Sequence, residues 1–274
     1  MSLKLPFEHS VQLTPAEQSR LGKSMRFFKL ILSYDGTAYA GWQVQSNAPT
    51  IQAEVEKALK QVTGEEIRVL ASGRTDAGVH AIGQVIGFRS ETLLPPEVLC
   101  RAVDAHLPFD IIVLDVCEAP DGFHPIRDAI RKRYRYVIQD GPLCDVFGRA
   151  YAWFIPQRLD VEAMCEAALL LMGEHDFSSF EASGAARASS VRTILDLSVR
   201  RQAGDFMDRV VIEVEANGFL YNMVRIIVGS LAAVGQGKRS PDWIAEVLRA
   251  RDRKIAGVTA PPHGLFLVHV EYGW

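Results

Sequence analysis

The chain has 274 residues, of which 48% are hydrophobic and 23% charged, with a formal net charge of −3. That length gives one large domain or two smaller ones, with a substantial core and no need of covalent staples. The composition excludes a disordered or fibrous chain, and the slight acidity argues against a uniformly basic nucleic-acid binder. Cys100, Cys117, Cys144 and Cys165 form no C-x-x-C pair and no zinc-like spacing, so they read as free thiols of a reducing compartment. No apolar run follows a basic start, and none reaches roughly 18 residues. The expectation is a cytoplasmic protein with no membrane segment.

Residues 1–25 are polar and lack sustained periodicity, which predicts a flexible extension with a short helix starting at Thr14-Pro15. Regular structure then begins. Phe27 to Tyr34 reads as a strand and Asp35-Gly36 as a turn. Thr50 to Val62 reads as a helix with Thr50 as N-cap. Ile67 to Ala71 and Gln84 to Phe88 read as strands, Pro95 to Ala105 as a helix and Ile111 to Val116 as a strand. The second half repeats this order. Arg133 to Ile138 is a strand, Val161 to Met172 a helix, Thr193 to Arg201 and Val210 to Ala216 strands, and Asn222 to Val234 a helix. Pro241 to Arg249 adds a helix, and Leu265 to Val270 a closing strand. Two β-α-β-β-α-β copies predict an α+β fold of two ferredoxin-like halves, 26–120 and 121–274. Each would have an antiparallel sheet with helices on one face. The linker falls near Pro120 to His124, and the cleft between the halves is the natural place for a site.

Common cofactor and metal motifs are missing. The seven histidines make no H-E-x-x-H and no H-x-E with P-C-x-x-C. Gly235-Gln236-Gly237-Lys238 lacks the first glycine and the final Ser/Thr of a phosphate loop and reads as a helix end. No G-x-G-x-x-G follows a strand. The reading is a site with no metal and no cofactor.

Gly73-Arg74-Thr75-Asp76-Ala77-Gly78-Val79-His80 follows directly on a strand and sets a cation and a carboxylate two residues apart between glycines. Glycine permits a sharp turn and close approach of a ligand. An ionised carboxylate there can be a nucleophile, a base or a metal ligand, or can simply cap the turn.

Gly73 to Ala81, read as G-R-T-D-A-G-V-H-A, resembles the signature of the TruA-type tRNA pseudouridine synthases. The resemblance extends from about Phe27 to Tyr272. It takes in Tyr34-Asp35-Gly36 with Gly41-Trp42-Gln43, Thr50-Ile51-Gln52, Arg133-Tyr134-Arg135-Tyr136, Ser190 to Ile194, Asn217 to Arg225 and Gly264 to Val268. It implies that Asp76 is the nucleophile and that Arg225 is the cation beside it. Tyr134 would be the aromatic that meets the extruded uracil, and Arg74 would fill the space which that base vacates. It also implies a tRNA substrate modified in the anticodon arm at positions 38, 39 and 40, and a homodimer. The chain departs from the family pattern at Pro125-Ile126 and Asp128, where a substrate contact is in question.

RNA binding by an acidic chain needs local positive charge. The candidates are Arg127 to Arg135, Arg249 to Lys254, and Arg187 with Arg192. The alternative to catalysis is a non-catalytic RNA-binding protein or RNA chaperone, which would have lost the nucleophile or carry an RNP-type aromatic motif. A small-molecule isomerase would need none of the basic patches.

Overall fold

The computed structural model describes residues 25–184, 189–204 and 207–274. The helix expected at Thr14-Pro15, together with Arg187 and Asp205, lies outside the described residues. The first half runs β1 (Arg26–Tyr34), α1 (Ile51–Thr63), β2 (Leu70–Ala71), β3 (His80–Ser90), α2 (Pro96–Asp104) and β4 (Ile111–Glu118). The second runs β5 (Ala129–Asp140), β6 (Trp153–Ile155), α3 (Val161–Leu169), β7 (Gly173–Asp176), β8 (Val191–Gln202) and β9 (Arg209–Ala216). After these come α4 (Met223–Gly235), α5 (Trp243–Ala250) and β10 (Leu265–Tyr272).

Side-chain periodicity accounts for these elements. In β1 the alternate residues Phe28, Leu30, Leu32 and Tyr34 are buried. In α1 the buried set Ile51, Val55, Ala58 and Leu59 forms one helical stripe. In α4 burial runs almost all round, from Met223 through Ile227 to Val234, as befits a helix enclosed by the second core. Thr50 stands just before α1, but its hydroxyl caps nothing and is buried without a partner, so the expected side-chain cap is absent.

The strands form one continuous sheet in the order β4-β1-β3-β10-β5-β9-β8-β7, with β2 on β3 and β6 on β5. Within it, β4-β1-β3-β2 and β10-β5-β9-β8 are each antiparallel and share the ferredoxin-like order. The α+β reading holds, but the sheets of the two halves are fused. At the seam, β10 runs parallel to the start of β3, pairing Phe266 with His80 and Leu267 with Ala81. The far end of β3 pairs with β2 at Ile86 and Gly87. One strand thus serves both halves, and the cleft expected between them becomes a depression over this seam.

Candidate active site

The loop between β2 and β3 is held from several sides. Gln84 on β3 donates to the Gly73 carbonyl (2.8 Å), and Ser72 Oγ donates to Gln84 Oε1 (2.8 Å). Thr75 Oγ1 lies 2.8 Å from the Tyr34 hydroxyl, whose pKa burial pushes up to about 12. Trp42 N donates to the Thr75 carbonyl at 3.0 Å. That approach depends on Gly41, at φ +97°, where a Cβ would stand 2.7 Å from the Thr75 oxygen. Gly78, at φ +75°, then turns the chain into β3.

Thus held, Asp76 faces the first turn of α4. Arg225 Nη1 donates to Asp76 Oδ2 at 3.0 Å and to Asn222 Oδ1 at 2.8 Å, and Arg225 Nε donates to the Ala260 carbonyl at 2.7 Å. The Arg225 side chain is 15% exposed and that of Asp76 36%. A guanidinium so anchored presents a fixed charge to the carboxylate. Asn222 sits at φ 59°, a left-handed position that Asn tolerates and that brings its amide under Arg225.

Asp76 and Arg225 border a cavity of about 200 Å³, whose lining also includes Arg74, Lys132, Tyr134, Phe219 and Leu265. All four residues singled out from the sequence, Arg74, Asp76, Tyr134 and Arg225, therefore line one space. Tyr134 projects from β5 with Phe219 edge-on to its ring at 5.1 Å. Its hydroxyl has no hydrogen-bond partner among the described residues. Burial raises its pKa well above the ordinary phenol value, and the Tyr34 phenol and the Asp76 charge push the same way. A phenol held neutral is a stacking surface and a hydrogen-bond donor, and a weak base. Arg74 is exposed at the rim, with a second depression beyond it lined by Trp42, Gln43, Gln45 and Tyr221.

Lys132, Phe219 and Asn222 had no assigned role in the sequence reading. The alternation of β5 placed Lys132 on the Tyr134 side, which was the available signal. Among the described residues no group of three or more His, Cys, Asp or Glu side chains is placed to hold a metal ion.

The arginines of the basic run Arg127 to Arg135 are paired with carboxylates. Arg131, Arg133 and Arg135 point to the other side of β5 and meet carboxylates on neighbouring strands. Arg131 pairs with Glu271, Arg133 with Glu215 (3.1 Å) and Asp196 (2.8 Å), and Arg135 with Glu213 (2.7 Å). Of the Arg249 to Lys254 run, Arg251 pairs with Asp176 at 3.3 Å.

A family model described as tRNA pseudouridine synthase matches residues 30–126 and 167–273. The chain belongs to this family. A protein named tRNA pseudouridine synthase A from Thermoanaerobacter sp. is 46% identical over 248 residues, covering 90% of this chain and 100% of its own length. One of the same name from Listeria monocytogenes is 47% identical over 250 residues, with the same coverage of both chains. A third, from Geotalea uraniireducens, is 46% identical over 248 residues. The enzyme is an isomerase by family. No helix among its described residues is long and apolar enough to cross a membrane.

Proposed function

We propose that the enzyme converts uridine to pseudouridine in the anticodon arm of tRNA, at positions 38, 39 and 40, with Asp76 as nucleophile. What carries this reading is the Asp76–Arg225 pair on the wall of a cavity that also holds Tyr134, in a member of this family. In the reaction the bond between uracil N1 and ribose C1′ breaks and its electron pair leaves with the base. The base turns and C5 bonds to C1′. C5 then loses its proton and N1 gains one, so atoms and electrons balance with no outside reagent. Asp76 assists by covalent capture, by removal of a ribose proton or by electrostatic support at the ribose. Arg225 holds the carboxylate aimed at the cavity through their charge-assisted bond. Tyr134 offers the uracil its ring and a neutral phenolic donor.

A paired uridine must leave its helix to reach Asp76. Arg74, exposed at the rim, is placed to enter the gap, where a guanidinium both stacks and contacts phosphate. We assign the active form to a homodimer in the cytoplasm. A non-catalytic RNA binder would have no use for a carboxylate anchored by a guanidinium with three acceptors. The test is nucleotide-resolved mapping of pseudouridine on unmodified tRNA transcripts. Wild type should yield product in the anticodon arm, and Asp76→Asn none, with affinity within a few fold. Absence of product from wild type on every transcript would defeat the proposal.

A further inference from the structure

As the glycosidic bond breaks, the uracil carries negative charge spread over N1, O2 and O4. In a partly enclosed cavity that charge needs a cation or strong donors. The charged side chains lining the cavity are Arg74, Asp76, Lys132 and Arg225. Arg225 is already engaged by Asp76, Asn222 Oδ1 and the Ala260 carbonyl. Arg74 is exposed at the rim, where water screens its charge.

Lys132 differs from both. It lies two residues before Tyr134 on the same face of β5, between Ala216 of β9 and Val270 of β10. Its ammonium passes beneath the loop bearing the nucleophile and donates to the Ser72 carbonyl, and a Cβ built on Gly73 would stand 3.5 Å from Nζ. An ammonium has three donors, so two remain unspent beside the cavity. Among the described residues no carboxylate pairs with it, although carboxylates neutralise its neighbours Arg131 and Arg133 on the opposite face.

We propose that Lys132 is a further catalytic residue, whose ammonium donates to a uracil oxygen and balances the charge of the departing base. The proposal rests on the isomerase reading above. Lys132 gives up no proton permanently. It holds the base through the turn and is released when N1 is reprotonated. Burial lowers its pKa to about 8, so the charge is retained at neutral pH and lost as pH rises through that value. The ionisable groups on the elements around it are Arg74 and Asp76 on the loop, Tyr34 on β1, Tyr134 on β5 itself, Arg225 on α4 and Tyr272 on β10. The phenols of Tyr34, Tyr134 and Tyr272 are all raised by burial, so they stay neutral through this range.

The experiment compares wild type, Lys132→Met and Lys132→Arg on a tRNA transcript on which wild type forms pseudouridine. The measurements are single-turnover rate at saturating enzyme, tRNA affinity with its salt dependence, and thermal midpoint. Lys132→Met should fold, bind tRNA within about threefold, and lose about 100-fold or more in rate, the scale of removing one oxyanion donor. Lys132→Arg should restore much of the rate. It should also remove the fall in rate expected of wild type as pH rises through about 8. A Lys132→Met rate within threefold of wild type overturns the proposal. So does a loss confined to affinity with a shallower salt dependence, which would make Lys132 a phosphate contact. Failure of wild type itself on every transcript would count against the isomerase reading instead.

Discussion

Replacing Arg225 with Met keeps most of the apolar stem and removes the guanidinium. Three acceptors then lose their donor: Asp76 Oδ2, Asn222 Oδ1 and the Ala260 carbonyl. The ion pair contributes about 1 kcal/mol to stability, discounted because the Asp76 side chain is 36% exposed and water takes over part of it. The other two bonds contribute about 1 kcal/mol each. The total is about 3 kcal/mol, which for a chain of this size lowers the thermal midpoint by roughly 6–12 °C. Catalysis should suffer more, because the charge-assisted bond that fixes Asp76, the proposed nucleophile, is worth about 1.5–3 kcal/mol, or roughly 10–150-fold in rate. Circular dichroism melts and single-turnover conversion of a tRNA transcript read the two effects separately. In an Asp76→Asn background, Arg225→Met should cost about 1 kcal/mol less stability than in wild type, since the charge pair is already gone. Strict additivity of the two stability losses, or a near-wild-type rate in Arg225→Met, would refute the reasoning.

Four further outcomes are expected. Tyr134→Phe retains the ring, so tRNA affinity should stay within a few fold while the chemical step slows; an unchanged rate would reduce Tyr134 to packing. Asp140 is fully buried in its side chain, takes both Arg201 amines (2.6 and 2.9 Å) and accepts from Leu159 N at 2.7 Å. Asp140→Ala should cost about 3–5 kcal/mol in urea unfolding, because it leaves the guanidinium unpaired, and a loss below 1 kcal/mol would sink that account. Burial alone would raise the Asp140 carboxyl, but the Arg201 and Leu159 bonds outweigh it and hold its pKa below the ordinary carboxylate value. Its contribution is therefore present above the unfolded carboxylate pKa and is lost as pH falls through the lower folded value, so Asp140→Asn should flatten the acid limb of stability. Finally, Arg133→Gln should leave tRNA affinity within twofold and its salt dependence unaltered, since Arg133 faces away from the cavity and is paired. A fivefold loss would place RNA on that face.

The elements readable from the sequence were those whose apolar period is local. β1, α1 and α4 announce themselves through Phe28 to Tyr34, Ile51 to Leu59 and Met223 to Val234. β7 was missed because Gly-Glu-His-Asp has no apolar alternation, and it exists by pairing with β8 at the sheet edge. β3 begins at His80, four residues before the expected Gln84, because β10 supplies partners that no local pattern reveals. α3 stops at Leu169 although the apolar run continues to Met172. Within the site, Asp76, Tyr134, Arg74 and Arg225 were legible as motif residues. The neutralisation of Arg131, Arg133 and Arg135 was not, since their acidic partners lie 63 to 140 positions away on other strands. Lys132 was hidden for the same reason, because its isolation is a property of the neighbours that the fold brings to it.

The seam between β3 and β10 has a consequence for how the molecule comes into being. β10 is the last of the ten strands to leave the ribosome, yet its place is in the middle of the sheet. His80, which closes the loop bearing Asp76, stacks on Phe266 at 4.8 Å and reaches the His263 carbonyl, 183 residues further along the chain. An N-terminal portion that folds during synthesis therefore holds Asp76 with neither the Arg225 clamp nor the seam behind it. With Asp76 in the role proposed above, the completed site arrives only with the final strand. Until then the start of β3 is an open edge, and that is where a folding helper would have most to protect.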